Sequence, residues 1–412
     1  MRSQKIRLKL TKEQETLAWW YSKVSRNFWN LLVDIDRRNN KGEFDEILNK
    51  NGNNTYYSKF HNREVYDLNQ SDYRNLAKII VTKNSEEDSE SWSWYYQPNQ
   101  TFIYAFISRE LVKIKRQNKG ELSFRSMDKI QPNFDVRCDV SSNNKRPSRI
   151  YLKDNGKLQI PNIGDVSFGS VRKNFDLSCK KQVAKISFDG KYWYLSYTED
   201  VGTSVTNLPD YTDGIGIDLG IKTLATVSDG TTIPNIKTFR RVRILNKRLK
   251  RLQRKVSRKY LINKCNKHNK TKNIIKLERQ IKLIHRSLSN IRINHIRKFV
   301  SELVKKQPKY IAIEDLNVKG MMKNKYLAKD IANCSFFSIR EYLIRKATER
   351  RIAVRLVDRL YPSSKTCSNC GSYKKDLKLS QRVFCCNHCQ EKIDRDFNAS
   401  LNIAKTDKYV LA

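Results

Sequence analysis

Hydrophobic and polar positions divide the chain into an N-terminal half of mixed periods and a C-terminal half of cleaner ones. QKIRLKL (4–10) alternates polar with apolar and predicts a short strand. Thr11 followed by Gln14 makes a capping box. Leu17, Tyr21, Val24, Phe28, Leu31 and Ile35 then step by three and four, predicting a helix of roughly 25 residues with one apolar face. Trp19, Trp20, Arg26 and Trp29 fall elsewhere on that helix, as packing residues or as platforms on which nucleobases stack. From 39 to about 100 the sequence is polar and Asn-rich, with an acidic patch at Ser85–Ser91. Helical pieces are expected at 72–82 and at 101–116, where Phe102, Phe106, Ile107 and Leu111 share a face, which gives a helical recognition lobe. Between 134 and 201 strands take over. KDNG (153–156) and DG (189–190) separate apolar runs and suit the positive φ of hairpin turns. A small antiparallel barrel or sandwich that takes in the N-terminal strand is expected, either to hold nucleic-acid backbone or as plain support.

GIGIDLGIKTLATVSDG (214–230) reads as a hairpin turning at Gly220, with Asp218 among residues that favour burial. An ionised Asp is costly to bury unless it is paired or ligates a cation, so Asp218 is either a metal ligand or a turn-former. Val242, Leu245, Leu249, Leu252 and Val256 predict one amphipathic helix, and Ile274, Leu277, Ile281, Ile284, Leu288 and Ile291 a second. The polar stretch 263–273 joins them as an antiparallel pair. YIAIEDLN (310–317) is a second buried-type strand ending at Glu314, and IDRDFNASLNIA (393–404) opens a helix at Asp396.

Charge changes this picture. The 412 residues carry 82 Lys and Arg against 42 Asp and Glu, a formal net charge of +40. Such an excess calls for a polyanion, and nucleic acid fits better than a membrane surface. Residues 240–298 hold 22 Lys or Arg and one acidic residue, Glu278. Solvated helices ordinarily mix signs, so this pair is expected to contact phosphates. No run of about 18 apolar residues occurs and the first residues lack the apolar core of a signal peptide, so a soluble intracellular protein is expected.

Asp218, Glu314 and Asp396 come from distant parts of the chain. Three carboxylates at strand and helix ends of an α/β fold can share two divalent cations about 4 Å apart. Mg²⁺, with Mn²⁺ as an alternative, prefers such oxygen ligands and retains waters. Taken singly, Glu314 could instead pair with a Lys or Arg, and Asp396 could be a helix N-cap. Five of the nine cysteines crowd into 367–389, which favours metal over disulfides. Cys367 and Cys370 form one C-x2-C knuckle, Cys386 and Cys389 the other, with fifteen residues between. That spacing suits tetrahedral Zn²⁺ in a structural role, which would fold the loop that delivers Asp396. Cys385 could replace Cys386, and His388 is a weaker alternative.

GIDLGIKTLATVSDG, LQRKVSRK (252–259), IEDLNVKGM, YPSSKTCSNCG and DRDFNASLNIA occur in an order that resembles the TnpB family, transposon-encoded RNA-guided nucleases related to miniature type V CRISPR effectors. The resemblance covers about 214–404 and is loose before it. It implies a RuvC (ribonuclease H-like) α/β nuclease domain over 211–365 and 391–412, with a zinc ribbon inserted at 366–390. It further implies a wedge-like β-barrel domain from 1–10 and 131–210, and a recognition lobe over 11–130. Its catalytic trio falls on Asp218, Glu314 and Asp396, with Asp394 as a competitor to Asp396. Gln390, where the family has glycine, and the extra Cys385 are departures at the second knuckle. Implied with the fold are Mg²⁺-dependent DNA cleavage, a guide RNA, target double-stranded DNA beside a short motif, a monomer with its RNA, and a prokaryotic cytoplasmic setting at the nucleoid. A guided repressor that has lost cleavage and an unguided RuvC-like nuclease are the alternatives. A transposase role lacks a Tyr or Ser nucleophile motif.

Overall fold

The computed structural model describes residues 2–48, 55–58, 62–88, 90, 123–125, 132–138, 150–153, 155–161, 163–169, 182–199, 213–265, 270–378 and 380–412. The chain divides into two compact units, Met1–Gly202 and Thr203–Ala412. The expected helix at 101–116 and the centre of the 263–273 linker lie outside the described residues.

In the first unit β1 (Arg2–Lys9) leads into α1 (Lys12–Lys41), followed by the hairpin β2 (Thr55–Ser58) and β3 (Arg63–Tyr66) and by α2 (Gln70–Glu87). Then come β4 (Asn133–Cys138), β5 (Tyr151–Leu152), β6 (Leu158–Ile160), β7 (Gly164–Phe168), β8 (Gln182–Phe188) and β9 (Trp193–Glu199). The Thr11–Gln14 capping box forms in both directions and starts α1. The helix is longer than its sequence period suggests, because Gly42 in the left-handed region (φ 84°) is what stops it. Its apolar face also differs from expectation. Leu17 is exposed, whereas Trp29 is buried with the Arg125 guanidinium 3.6 Å from its ring centroid, so Trp29 is a packing residue. Trp19 packs against Phe188 and Trp193, at centroid distances of 5.0 and 5.5 Å.

Seven strands run in the order β4-β8-β9-β1-β7-β6-β5, all paired antiparallel, with the N-terminal strand central as expected. Among the described residues no pairing joins β4 to β5 and closes a barrel. Gly156 (φ 71°) and Gly190 (φ 94°) make the two hairpin turns read from KDNG and DG.

The second unit is built on a six-stranded mixed sheet. Its strands are β10 (Ile215–Leu219), β11 (Thr223–Val227), β12 (Thr232–Pro234), β13 (Tyr310–Glu314), β14 (Ala353–Val357) and, after the small hairpin β15 (Val383–Cys385) and β16 (Lys392–Asp394), β17 (Tyr409–Leu411). Their order is β12-β11-β10-β13-β14-β17, with β10, β13 and β14 mutually parallel and the rest antiparallel. The helices are α3 (Arg240–Cys265), α4 (Lys272–Lys305), α5 (Val318–Met321), α6 (Ala328–Cys334), α7 (Phe336–Thr348) and α8 (Arg395–Lys405).

Alternation along the central strands sends Ile215, Ile217, Ile311 and Ile313 to one face, where Phe299, Val300 and Leu303 of α4 and Ile339 and Leu343 of α7 cover them. On the other face Ala312 and Val357 pack with Ile403 of α8. Helices thus flank both sides of the parallel core, as a sheet apolar on both faces requires. The first parts of α3 and α4 join through Val242, Leu249, Leu252, Ile284 and Leu288, the seam read from their spacing. Lys247, Arg251, Arg254 and Arg258 line the exposed side of α3.

Candidate functional site

Three sequence-distant carboxylates converge at one end of the mixed sheet, and the local structure explains how. β10 and β13 run parallel with Ile217 level with Ile313, so Asp218 and Glu314 come next on each strand and leave on the same face. That face is covered by α8. A Cβ built on Gly216 would lie 2.1 Å from the Ser400 carbonyl oxygen and 2.4 Å from the Ala404 nitrogen, so only glycine lets the helix rest on the strand. Two residues earlier, Gly214 admits the Tyr310 ring, whose hydroxyl donates to the Ala404 carbonyl at 2.8 Å. The helix therefore starts over the carboxyl ends of the strands and brings Asp396 to them.

The α8 N-terminus separates its two acidic candidates. Asp394 is the N-cap and accepts from the backbone N–H of Asp396 and Phe397 at 2.9 and 3.0 Å. Asp396 is spared that duty. Arg395 lies 3.3 Å from one of its oxygens and Arg382 3.7 Å from the other.

Half-buried Asp218 is pushed well above the usual carboxylate range, first by burial and then by the negative charges of Glu314 and Asp396, with Arg395 opposing. Glu314 is raised by burial, against a 2.8 Å hydrogen bond donated by the Ser363 hydroxyl. Its side chain thus meets a hydroxyl rather than a Lys or Arg among the described residues. Burial of Asp218 beside two other acids, only partly offset by Arg395, makes this a place where a further cation would be favourable. The neighbouring Asp315 instead pairs with Arg340 and Arg359.

Sequence reasoning passed over the residues that hold this end together. Asn398 donates to the Thr366 carbonyl at 2.7 Å and accepts from the Ser368 N–H at 2.9 Å. Asn402 donates to the carbonyls of Ser363 and Thr366 at 2.8 and 2.6 Å. Both asparagines are buried and belong to the FNASLNI run, where two amides on one face of a helix were the available signal. Arg382 and Arg395 were likewise not singled out.

The sulfur atoms of Cys367, Cys370, Cys386 and Cys389 all lie within 4.8 Å of one another, the one such metal-type group of His, Cys, Asp or Glu among the described residues. Four thiols in this arrangement fit a tetrahedral metal with no open position. Cys386, not Cys385, completes it; Cys385 sits in the β15–β16 hairpin and its carbonyl accepts from Lys374 Nζ at 2.8 Å. The N–H groups of Cys389 and His388 point at the Cys386 sulfur at 3.5 and 3.4 Å. Led by the Cys389 bond, they draw this thiol down to about 6 against the upward push of burial. His388 contributes through its backbone, not its ring. Both knuckles close on a left-handed residue after their second cysteine, Gly371 at φ 74° and Gln390 at φ 59°.

Among the described residues no helix is long and apolar enough to cross a membrane. Residues 195–325 match the OrfB_IS605 family, described as a probable transposase, and residues 336–403 match the Cas12f1-like TNB domain. A putative RNA-guided DNA endonuclease of Streptomyces pristinaespiralis is 34% identical over 212 residues, 51% of this chain and 49% of that protein. The putative RNA-guided DNA endonuclease InsQ of Escherichia coli (strain K12) is 29% identical over 275 residues, 63% of this chain and 64% of its own. The chain thus spans about half the length of the first relative and under two thirds of the second. A cryo-EM structure of a Cas12f1–sgRNA–target DNA complex superposes with a TM-score of 0.49 at 14% identity, covering 99% of each chain.

Proposed function

We propose that this chain, which belongs to the TnpB family, is an RNA-guided DNA endonuclease that hydrolyses phosphodiester bonds with divalent cations. The observation that carries this reading is the placement of Asp218 and Glu314 side by side at the ends of β10 and β13, on the face covered by α8, whose first turn bears Asp396. The order of three antiparallel strands followed by two parallel ones supports a ribonuclease H-like RuvC fold for 211–365 and 391–412, with 366–390 as its zinc insertion. Residues 1–10 and 131–210 are assigned to a wedge domain and 11–130 to the recognition lobe.

Asp218, Glu314 and Asp396 would hold the catalytic cations, Mg²⁺ or Mn²⁺. Bound there, the cations supply Lewis acidity and neutralise charge on the scissile phosphate. Ser363 fixes the Glu314 carboxylate by its hydroxyl, and Asn402 in turn fixes Ser363 through its carbonyl. Arg382 and Arg395 flank Asp396, where their guanidinium groups would also be placed to donate to phosphate oxygens. Water attacks phosphorus and one P–O bond breaks, leaving a phosphate on one product and a hydroxyl on the other.

Zn²⁺ is assigned to Cys367, Cys370, Cys386 and Cys389 as a structural ion. The basic face of α3 and α4 is assigned to the guide RNA, so that base pairing selects double-stranded DNA and the protein grips backbones. A monomer with its RNA in a prokaryotic cytoplasm fits this role. The test is to sequence RNA that copurifies with the full chain and to assay that complex on matched DNA. A discrete RNA with a constant scaffold and a variable end, and matched-target cleavage lost in Asp218→Ala with binding retained, supports the reading. Heterogeneous RNA, or equal cleavage by the variant, overturns it.

A further inference from the structure

Beside Glu314 lies a cleft of about 310 Å³ that the carboxylate chemistry does not use. It opens at the carboxyl ends of β10, β13 and β14, where open α/β sheets receive ligands. One wall is apolar, from Leu219, Leu316, Val318 and the α7 residues Phe336 and Phe337; Lys319, Arg340 and Arg359 supply cations. Phe336 is buried and belongs to the core, but Phe337 is 57% exposed, which leaves ring surface open at the cleft. Asp315 ties Arg340 and Arg359 in place, with Arg359 Nε donating to its carboxylate and to its backbone carbonyl, both at 2.8 Å. The Arg340 guanidinium also sits 5.6 Å from the Phe337 ring centroid and braces it. Against Glu314 and Asp315, the three cations leave the cleft net positive.

An aromatic ring with an open face, rigid guanidinium groups and a flexible Lys, all within reach of a carboxylate metal site, match a base with its phosphate better than an amino acid or a lipid. We propose that this cleft is a subsite for one unpaired nucleotide of the strand being cut, the base stacking on Phe337 and the adjoining phosphate meeting Lys319 and Arg359. This rests on the nuclease reading above and adds a positioning residue to it. Phe337 acts by holding the strand so that the neighbouring phosphate stays in register over Glu314, and does no chemistry itself. The pocket reads stacking and charge rather than base edges, so its preference among bases is weak.

The test walks a single abasic nucleotide through the positions flanking the scissile phosphate, using the full chain with its copurified RNA. In the wild type one position is expected to slow cleavage about tenfold when its base is removed. In Phe337→Ala cleavage of intact DNA is slower by a similar factor and removal of that base costs nothing more; Phe337→Tyr restores the wild-type pattern. Losses that multiply, or no position that stands out, overturn the subsite. A second readout needs no cleavage: 2-aminopurine at that position, bound to the Asp218→Ala complex, is expected to be quenched, and adding Phe337→Ala to relieve the quenching. Emission that stays the same with and without Phe337→Ala overturns the proposal even if the nuclease reading stands. Wild-type protein that quenches but never cuts leaves the subsite in place and sinks the nuclease reading.

Discussion

Gly216 and Ser400 touch backbone to backbone: a Cβ at 216 would stand 2.1 Å from the Ser400 carbonyl oxygen. No rotamer change relieves such a clash, since neither partner is a flexible side chain. Gly216→Ala is therefore expected to lever α8 away from β10, costing about 1–3 kcal/mol or more of stability. Because Asp396 travels with the helix, cleavage should fall further than the melting temperature suggests. Thermal denaturation and cleavage measured on one preparation check this; an unchanged melting point would mean that the helix does not rest on the strand.

Replacing Asp218 by Asn separates chemistry from folding. Its carboxyl is raised in the folded protein, so the native state binds a proton more tightly than the unfolded chain. Without divalent cations, stability contributed by that proton is present at acid pH and is lost as pH climbs from the usual carboxylate range through the raised value. Asp218→Asn is expected to be more stable than wild type at neutral pH and equal to it in acid, while cleaving at least about a hundredfold more slowly. Urea denaturation at several pH values, in Mg²⁺-free buffer without a chelator that would strip the cysteine centre, measures the first effect.

At the sulfur site, Cys386→Ser should release the metal and Cys385→Ser should retain it, as read by elemental analysis after gel filtration. Gln390 carries a cost that Gly371 avoids, since a side chain in the left-handed region is disfavoured by roughly 1 kcal/mol. Gln390→Gly is expected to raise the metal-loaded protein's stability by about 0.5–1 kcal/mol without changing its metal content.

Lys247, Arg251 and Arg254 are exposed on α3, so removing their charge should leave the fold alone. A triple Gln variant is expected to weaken RNA binding and to flatten the slope of log affinity against log salt by about 2, near 0.7 for each single-strand phosphate that is no longer neutralised. Fluorescence titrations at several salt concentrations give the slope directly. An unchanged slope would move the RNA off this face.

The sequence was most readable where a residue's chemistry conflicts with its surroundings. Asp218 stands out because an acid among Ile215, Ile217 and Leu219 needs a reason to be there, and paired cysteines at fixed spacing have few other uses. Periodicity found α3 and α4 because their seam is a plain three-four step. It misjudged α1, where Leu17 and Trp29 exchange places: Arg125, from far along the chain, covers the tryptophan, and no local pattern carries that information. The preference for Asp396 over Asp394 came from the resemblance and not from local chemistry, since either could cap and only the path of the helix decides which one does. Asn398, Asn402 and Ser363 were overlooked because polar residues read as surface until their partners are known.

Those two asparagines also bear on how the protein could be reduced in size. Their amides grip the carbonyls of Ser363 and Thr366, the stem from which the cysteine insertion springs, and Ser363 carries the bond on to Glu314. The insertion is consequently no detachable module. A shortened chain that replaces 367–389 with a simple linker must still anchor that stem, or it forfeits the alignment of two acids at once.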